Sequence, residues 1–323
     1  MRGERDGAGD TADRVRSCRT IRVAPVVEPV AAMADEEAWS ARQRYPVLMG
    51  FRPVFGPARE RTEEEGGGWQ LLSYFGSPTP QGARAGLGSH LRRRAQEAEE
   101  AGDGETRTAC RAAAERLDRE APDELTVLGE RHRIVRAQNV VRSGPEGPEP
   151  PRPSDPDPVQ PGATGRLPDR TEGFVLDAAA PTGPSEGVLK AELLALVHRE
   201  GDEPRVREDA RRAAVTHPGG VLLPPAFLFA EEEGGAWRAE TGDSGTPQEA
   251  RDALTMLLRV PTPATRGLDE GSCALYKEAA DRLDAERGIE LCFAGRRLRL
   301  VRVERLVRIG PDGPEGPRPS DEA

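Results

Sequence analysis

The sequence predicts an α+β protein of two tandem similar units, each a small antiparallel sheet with helices on one face. Three observations predict it. Ala113–Asp155 aligns without a gap to Ala279–Asp321, at a constant offset of 166 residues. Strand and helix patterns are interspersed, but no long strand–helix–strand crossovers dominate, which argues for antiparallel pairing. Helix-start signals also recur at matching positions, as Thr79-Pro80 and Thr246-Pro247.

Each unit reads helix, strand, strand, helix, helix, strand, strand. Glu28-Pro29 opens the first helix, because proline lacks an N–H that the first turn would leave unpaired. Val30, Ala34, Ala38, Ala41 and Tyr45 follow at helical spacing, so a start at Met33 would remove the first turn and the chain is expected to begin upstream. After Tyr45-Pro46 comes the run VLMGFRPVFGPARE, and after His217-Pro218 its counterpart GGVLLPPAFLFAEE. Acidic, glycine-rich turns at Glu63–Gly68 and Glu232–Gly235 fold these runs into hairpins with the strands that carry Trp69 and Trp237.

Thr79 and Thr246 are placed to cap the next helices, and Glu249 completes a capping box in the second. Ala83, Leu87, Leu91 and Ala95 recur at helical spacing, as do Ala250, Leu254 and Leu257/Leu258. The following helices carry Ala109, Ala113 and Leu117, and Leu275, Ala279 and Leu283, with Ser272 the candidate cap of the latter. In the last strands the apolar residues change phase, after Ile134 in one copy and Leu300 in the other. Strict alternation would put arginines on the core face, so a β-bulge is expected near Ile134/Val135 and Leu300/Val301.

Composition marks the boundaries. Residues 1–19 read as disordered, 20–143 as the first unit, 144–172 as a Pro/Gly-rich linker, 173–309 as the second unit and 310–323 as a Pro-rich tail. Prolines recur every third residue at Pro145, Pro148, Pro151 and at Pro311, Pro314, Pro317, the period of polyproline II. Ten of the twelve residues of Gly144–Asp155 equal their counterparts in Gly310–Asp321. Such agreement suggests segments that lie extended across a unit, against the plainer reading of a solvated spacer.

The pattern ARQRYPVLMGFRPVFG, then TPQxARxxL, then RIVRAQNVVRSGPEGPEPPRPSDPDP, resembles an uncharacterised family of actinobacterial proteins known only as a domain of unknown function. The similarity runs from about Ile21 to the end. It implies no activity, cofactor or catalytic residue.

The chemistry-bearing motifs are weak. Gly242-Asp243-Ser244-Gly245 copies a serine-protease motif but sits before a helix cap, and a turn is the better reading. Gly183-Pro184-Ser185-Glu186-Gly187 fits a nucleophile elbow, yet a Pro-rich stretch precedes it and Ser185 reads as an N-cap of a helix running to His198. His90, His132, His198 and His217 lack metal-ligand spacing and read as surface or half-buried residues. The four cysteines form no paired motif, so no metal, no cofactor and no disulfide frame are expected, and the cytoplasm is the expected compartment.

A net charge of −10 and the absence of a long apolar run disfavour nucleic acid and membrane as partners. The leading expectation is a non-enzymatic protein-interaction or structural module with an unidentified protein partner. Its candidate binding residues are Arg133, Arg136, Arg299, Arg302, Trp69 and Trp237. An anion or nucleic-acid binder using the strand arginines is the first alternative. An enzyme acting through Glu192 or His198 in a cleft between units is the second.

Overall fold

The computed structural model describes residues 20–72, 75–158, 170–198 and 201–322. The expectations for residues 1–19, and for the Pro/Gly-rich stretch from 159 to 169, lie outside them.

Two 15-residue strands form the axis, β5 (Glu130–Gly144) and β11 (Arg296–Gly310). Against β5 lie β1 (Val47–Gly50), β2 (Val54–Glu60) and β4 (Glu124–Val127). Against β11 lie β8 (Gly219–Glu233) and β10 (Glu290–Phe293). Outward from β2 come β3 (Trp69–Leu71) and β7 (Val175–Leu176); outward from β8 comes β9 (Ala236–Ala239). The halves meet where β5 and β11 pair antiparallel, from Val140↔Glu304 to Ala137↔Val307. Asn139 faces Arg305 there, a residue 166 positions later, so matching positions meet at the centre of the contact. The α+β class holds, and all the strands belong to one 12-stranded antiparallel sheet rather than to two small ones.

The helices cover one face of this sheet. Leu87 and Leu91 of α2 (Pro80–Ala101) and Leu117 of α3 (Gly104–Glu120) bury against Phe55 and Ile134. Leu254 and Leu258 of α6 (Pro247–Arg259), with Leu283 of α8 (Glu270–Glu286), do the same against Phe227, Phe229, Leu298 and Leu300. Each such fully buried leucine contributes roughly 2 kcal/mol relative to an exposed one. Leu189 and Leu193 of α4 (Pro184–Ala195) cover Val140 and Leu306 at the junction, beside α1 (Pro29–Arg44). Two more helices, α5 (Pro204–Thr216) and α7 (Pro261–Arg266), complete the layer. The opposite face carries Val135, Ala137, Val307 and Ile309, which close with Val221, Leu223 and Leu71 into a second core made of strand residues.

Local chemistry sets the helix ends. Thr79 accepts from Gly82 N at 3.1 Å and Thr246 from Glu249 N at 3.2 Å, while Glu28 accepts from Ala31 N. Glu249 reaches back to Gly245 N, one residue before the expected box position. Two expected caps move. Asp269, not Ser272, caps α8, and Gly183 occupies the N-cap of α4 with Ser185 inside the first turn. Aspartate wins the first because its carboxylate accepts from Ser272 N at 2.7 Å.

The expected bulges near Ile134/Val135 and Leu300/Val301 do not form. Register is continuous from His132 to Ala137 and from Leu298 to Val303. The extra residues sit instead on the partner strands, at prolines that have no N–H to give the ladder. Pro224-Pro225 stand between Leu223 and Ala226 opposite Glu304 alone, and Phe51-Arg52-Pro53 stand opposite Gln138-Asn139. Arg305 satisfies Pro224 O at 2.6 Å, and Gln138 satisfies Phe51 O at 3.0 Å. Arginines remain on a covered face because β5 and β11 are buried on both sides, under helices for part of their length and under the Pro-rich segments for the rest.

Those segments lie against the sheet. After β6 (Gly147–Pro148), Glu149 N donates to Arg142 O and Glu149 O accepts from Arg302 N at 2.9 Å. After β12 (Gly313–Pro314), Glu315 N donates to Arg308 O and Glu315 O accepts from Arg136 N at 2.9 Å. Each glutamate thus fills the gap where β5 and β11 splay apart, one at either end of their short pairing. Each segment crosses to the other half.

Gly147 and Gly313 make the turns that start the crossings, with φ of +106° and +119°. A Cβ on Gly313 would lie 2.4 Å from Nε1 of buried Trp69, whereas one on Gly147 would meet Trp237 and the end of Arg299 at 3.1 and 3.0 Å. Gly313→Ala is therefore expected to destabilise by about 2–4 kcal/mol, from strain plus overpacking. Gly147→Ala should cost less, because Trp237 is only half-buried and can yield. Chemical denaturation of both variants checks the order.

Candidate functional site

The six candidate binding residues all meet the crossing segments. Arg133 donates to Asp312 Oδ2 and Pro314 O at 3.0 Å and lies over Trp69, 4.9 Å from the ring centre. Arg136 donates to Asp321 Oδ2 at 2.8 Å. At the matching positions Arg299 donates to Glu146 O, and Arg302 donates to Asp155 at 3.0 Å and to Glu304. Trp69 packs under Gly313 and Trp237 under Gly147. The segments pin themselves as well: Arg152 N and Arg318 N donate to Asp155 and Asp321, and Ser154 N and Ser320 N donate to Glu37 and Asp209. All four strand arginines are buried and bound by carboxylates or carbonyls of the chain.

Burial sets the electrostatics. It lowers the pKa of Arg136, and the nearby Arg318 adds to that, against the pull of Asp321. Burial also opposes charge on Arg302, but Glu304, Asp155 and Glu149 outweigh it and raise the pKa. For Glu304 and Glu315 burial pushes upward; the arginines around them win, and both carboxyls titrate below the ordinary range. Glu149 differs from its counterpart Glu315, since burial there prevails over Arg152 and the pKa rises.

Around this clamp the halves differ. On β3, Trp69 pairs with Leu176 and Gln70 with Val175 of β7, and Phe174, Leu176 and Ala178 fill the hollow beside Trp69, Val221 and Leu223. On β9, which ends the sheet among the described residues, Trp237 is half-buried while Ala236, Arg238 and Ala239 are exposed. A depression of about 890 Å³ opens beside it, lined by Met49, Phe51, Gly147 and Trp237. By register, Met49 and Phe51 stand where Val221 and Leu223 stand in the filled hollow. Arg297 stacks on Trp237 at 5.5 Å and pairs with Glu232, and Nε of Arg299 has no hydrogen-bond acceptor.

A second cavity, of about 580 Å³, lies between α1, α4 and β8. Trp39, Phe174, Leu189 and Pro224 give it apolar walls, and Lys190 lines it although only 3% exposed. Ser185 also faces it, with its hydroxyl donating to Asp35, which accepts from Ser185 N as well and so covers the start of α4. Sequence reasoning passed over Lys190. The signal available was its rarity, since only Lys190 and Lys277 stand among forty-six basic residues.

The remaining candidates are scattered. Glu192 is held by Arg42 at 2.8 Å and Arg142 at 2.6 Å, and His198 is exposed. His132 is fully buried, contrary to the expected half-exposed site, because the sheet and α2 enclose it; Nε2 has no hydrogen-bond partner. Ser244 exchanges main-chain bonds with Phe227 at 2.8 and 2.9 Å, and Asp243 accepts from Asn139 at 2.9 Å, so the protease-like motif is a turn. Among the described residues no group of three or more His, Cys, Asp or Glu could hold a metal ion, and Cys110, Cys273 and Cys292 are free. Among them too, no helix is long and apolar enough to cross a membrane.

Fold and site define an α+β protein with one continuous antiparallel sheet, locked by two crossing Pro-rich segments. The chain belongs to a family of unknown function (DUF5954), whose model matches residues 28–323. No curated protein and no solved structure matches it.

Removing one partner of a buried ion pair leaves an uncompensated charge, at a cost of about 3–5 kcal/mol. Asp321→Asn, which strips Arg136 of its carboxylate, is expected to fall in that range. Asp155→Asn should cost less, because Arg302 keeps Glu304. Urea denaturation of the two variants tests the difference. A depressed folded-state pKa contributes stability that is present above the unfolded value and lost as pH falls through the folded one. Calorimetric Tm should therefore drop steeply below about pH 4.3, and Glu315→Gln should flatten that drop.

Proposed function

We propose that the protein is a non-enzymatic protein-interaction module that takes an extended apolar segment of a partner protein as an added strand on β9. One observation carries this reading: among the described residues, matching edges of the sheet are covered in one half and open in the other. Phe174-Val175-Leu176 covers β3 and fills the hollow beside Trp69, while the edge at Trp237 ends the sheet beside an open depression. Strand addition supplies main-chain hydrogen bonds, and alternate side chains of the added segment enter pockets. An exposed edge strand is an invitation to such pairing. Leu71 N donates to Phe174 O, and the register places Ala239 at the matching point, with its N–H directed outward.

Internal duplication accounts for the asymmetry. The gapless repeat, Asn139 facing Arg305, and the twin contacts of Glu149 and Glu315 support it. Among the described residues, segment 170–198, which supplies β7 and α4, has no counterpart in the other half. The arginine-rich composition and the sequence resemblance are consistent with an actinobacterial source, and the unpaired free cysteines with the cytoplasm. Burial of the strand arginines under the chain's own carboxylates argues against a phosphate-binding surface.

The probe is a peptide with the sequence of residues 172–178, EGFVLDA. Labelled, it should bind saturably to the whole protein and protect amides 236–239 from hydrogen exchange. Trp237→Ala should weaken binding about thirty-fold, the loss of an aromatic anchor worth about 2 kcal/mol. Ala239→Pro should also weaken it by removing an outward N–H while leaving the β8·β9 ladder intact. Absence of binding, or protection at 69–71 instead, would overturn the proposal. Concentration-dependent protection of 236–239 without peptide would overturn it too, assigning the edge to a second copy.

A further inference from the structure

We infer that the cavity between α1, α4 and β8 is a reactive-amine site, in which Lys190 condenses with the carbonyl group of a small aldehyde or ketone. The inference is independent of the strand-addition reading. It rests first on a contrast between Lys190 and four of the arginines that line the cavity. Arg42, Arg142, Arg152 and Arg302 each hold a carboxylate directly, at 2.6–3.0 Å. Lys190 has no hydrogen bond and no ion pair with any described residue, although it is 3% exposed. The amine is not sealed into the protein without an acceptor; the residue lines the cavity and its amine opens onto it.

The surroundings match the chemistry. The lining mixes apolar and aromatic side chains such as Trp39, Phe174 and Leu189 with many charged ones, and the volume of about 580 Å³ suits a small molecule. Burial lowers the pKa of the amine, against the pull of Glu186 and Asp177, so a larger share is neutral and nucleophilic. Two devices hold α4 in place around it: Asp35 of α1 receives both Ser185 N and its hydroxyl, and Glu192 is gripped by Arg42 and Arg142. An amine on a fixed helix is a positioned group rather than a wandering one.

The step balances without a redox partner. The Lys190 nitrogen attacks the carbonyl carbon, and the carbonyl oxygen gains a proton as the nitrogen loses one, giving a carbinolamine. Loss of that oxygen as water forms the imine. Glu186 and Asp177, in the same wall, are the groups able to pass the protons.

The chain offers an internal standard, because Lys277 is its only other lysine and is exposed. The full-length protein would be treated at pH 7 with benzaldehyde and cyanoborohydride, which reduces any imine to a stable secondary amine, and both lysines followed by peptide mass mapping. Lys190 should be modified faster than Lys277, because burial leaves a larger share of its amine neutral. Unfolding in guanidinium should abolish that preference. An aldehyde-terminated polyethylene glycol, too large for the cavity, should modify Lys277 and spare Lys190. Equal or slower modification of Lys190 by benzaldehyde would overturn the inference, and so would its modification by the large reagent.

Discussion

The pairing of β5 with β11 is the contact on which the rest of the structure depends, and it is short. Only Ala137–Val140 and Glu304–Val307 form the ladder before the strands splay. Unpaired backbone groups buried at such a divergence cost about as much as lost hydrogen bonds. Glu149 and Glu315 remove that cost, each offering one N–H and one C=O to the two separating strands. The Pro-rich segments are therefore structural elements of the sheet. Proline suits them because it has no N–H to satisfy in an extended chain that pairs with the sheet only at intervals.

A second consequence concerns the arginines. Long strands that carry Arg136, Arg302 and Arg308 on a covered face would be unstable under an apolar layer. Beneath the crossing segments they meet Asp321, Asp155 and main-chain carbonyls instead. Charge and cover have been matched, so the same residues that suggested a phosphate-binding stripe serve to hold the two halves together. Such buried pairs give register more than they give stability.

What the halves do not share is concentrated in residues 170–198. That segment closes one hollow with Phe174–Leu176, leaves the matching hollow at Trp237 open, and brings Lys190 to a cavity against α1. The segment lines the cavity beside α1 but not the depression at Trp237.

The sequence by itself determined the local structure. Helix starts at Glu28, Thr79 and Thr246, the hairpins before Trp69 and Trp237, the apolar helix faces and the α+β class are set by side-chain period and capping, which act within a few residues. It offered six residues as binding candidates, and the fold brings each of them against a crossing segment. Tertiary structure decided that the strands form one sheet, that the bulges fall at Pro53 and Pro224-Pro225 rather than at Val135 and Val301, and that Asp269 caps α8. It alone decided that Lys190 lines a cavity with no hydrogen bond or ion pair to any described residue. These outcomes turn on which surface covers which across more than a hundred residues, and periodicity records only that a face is covered, never by what.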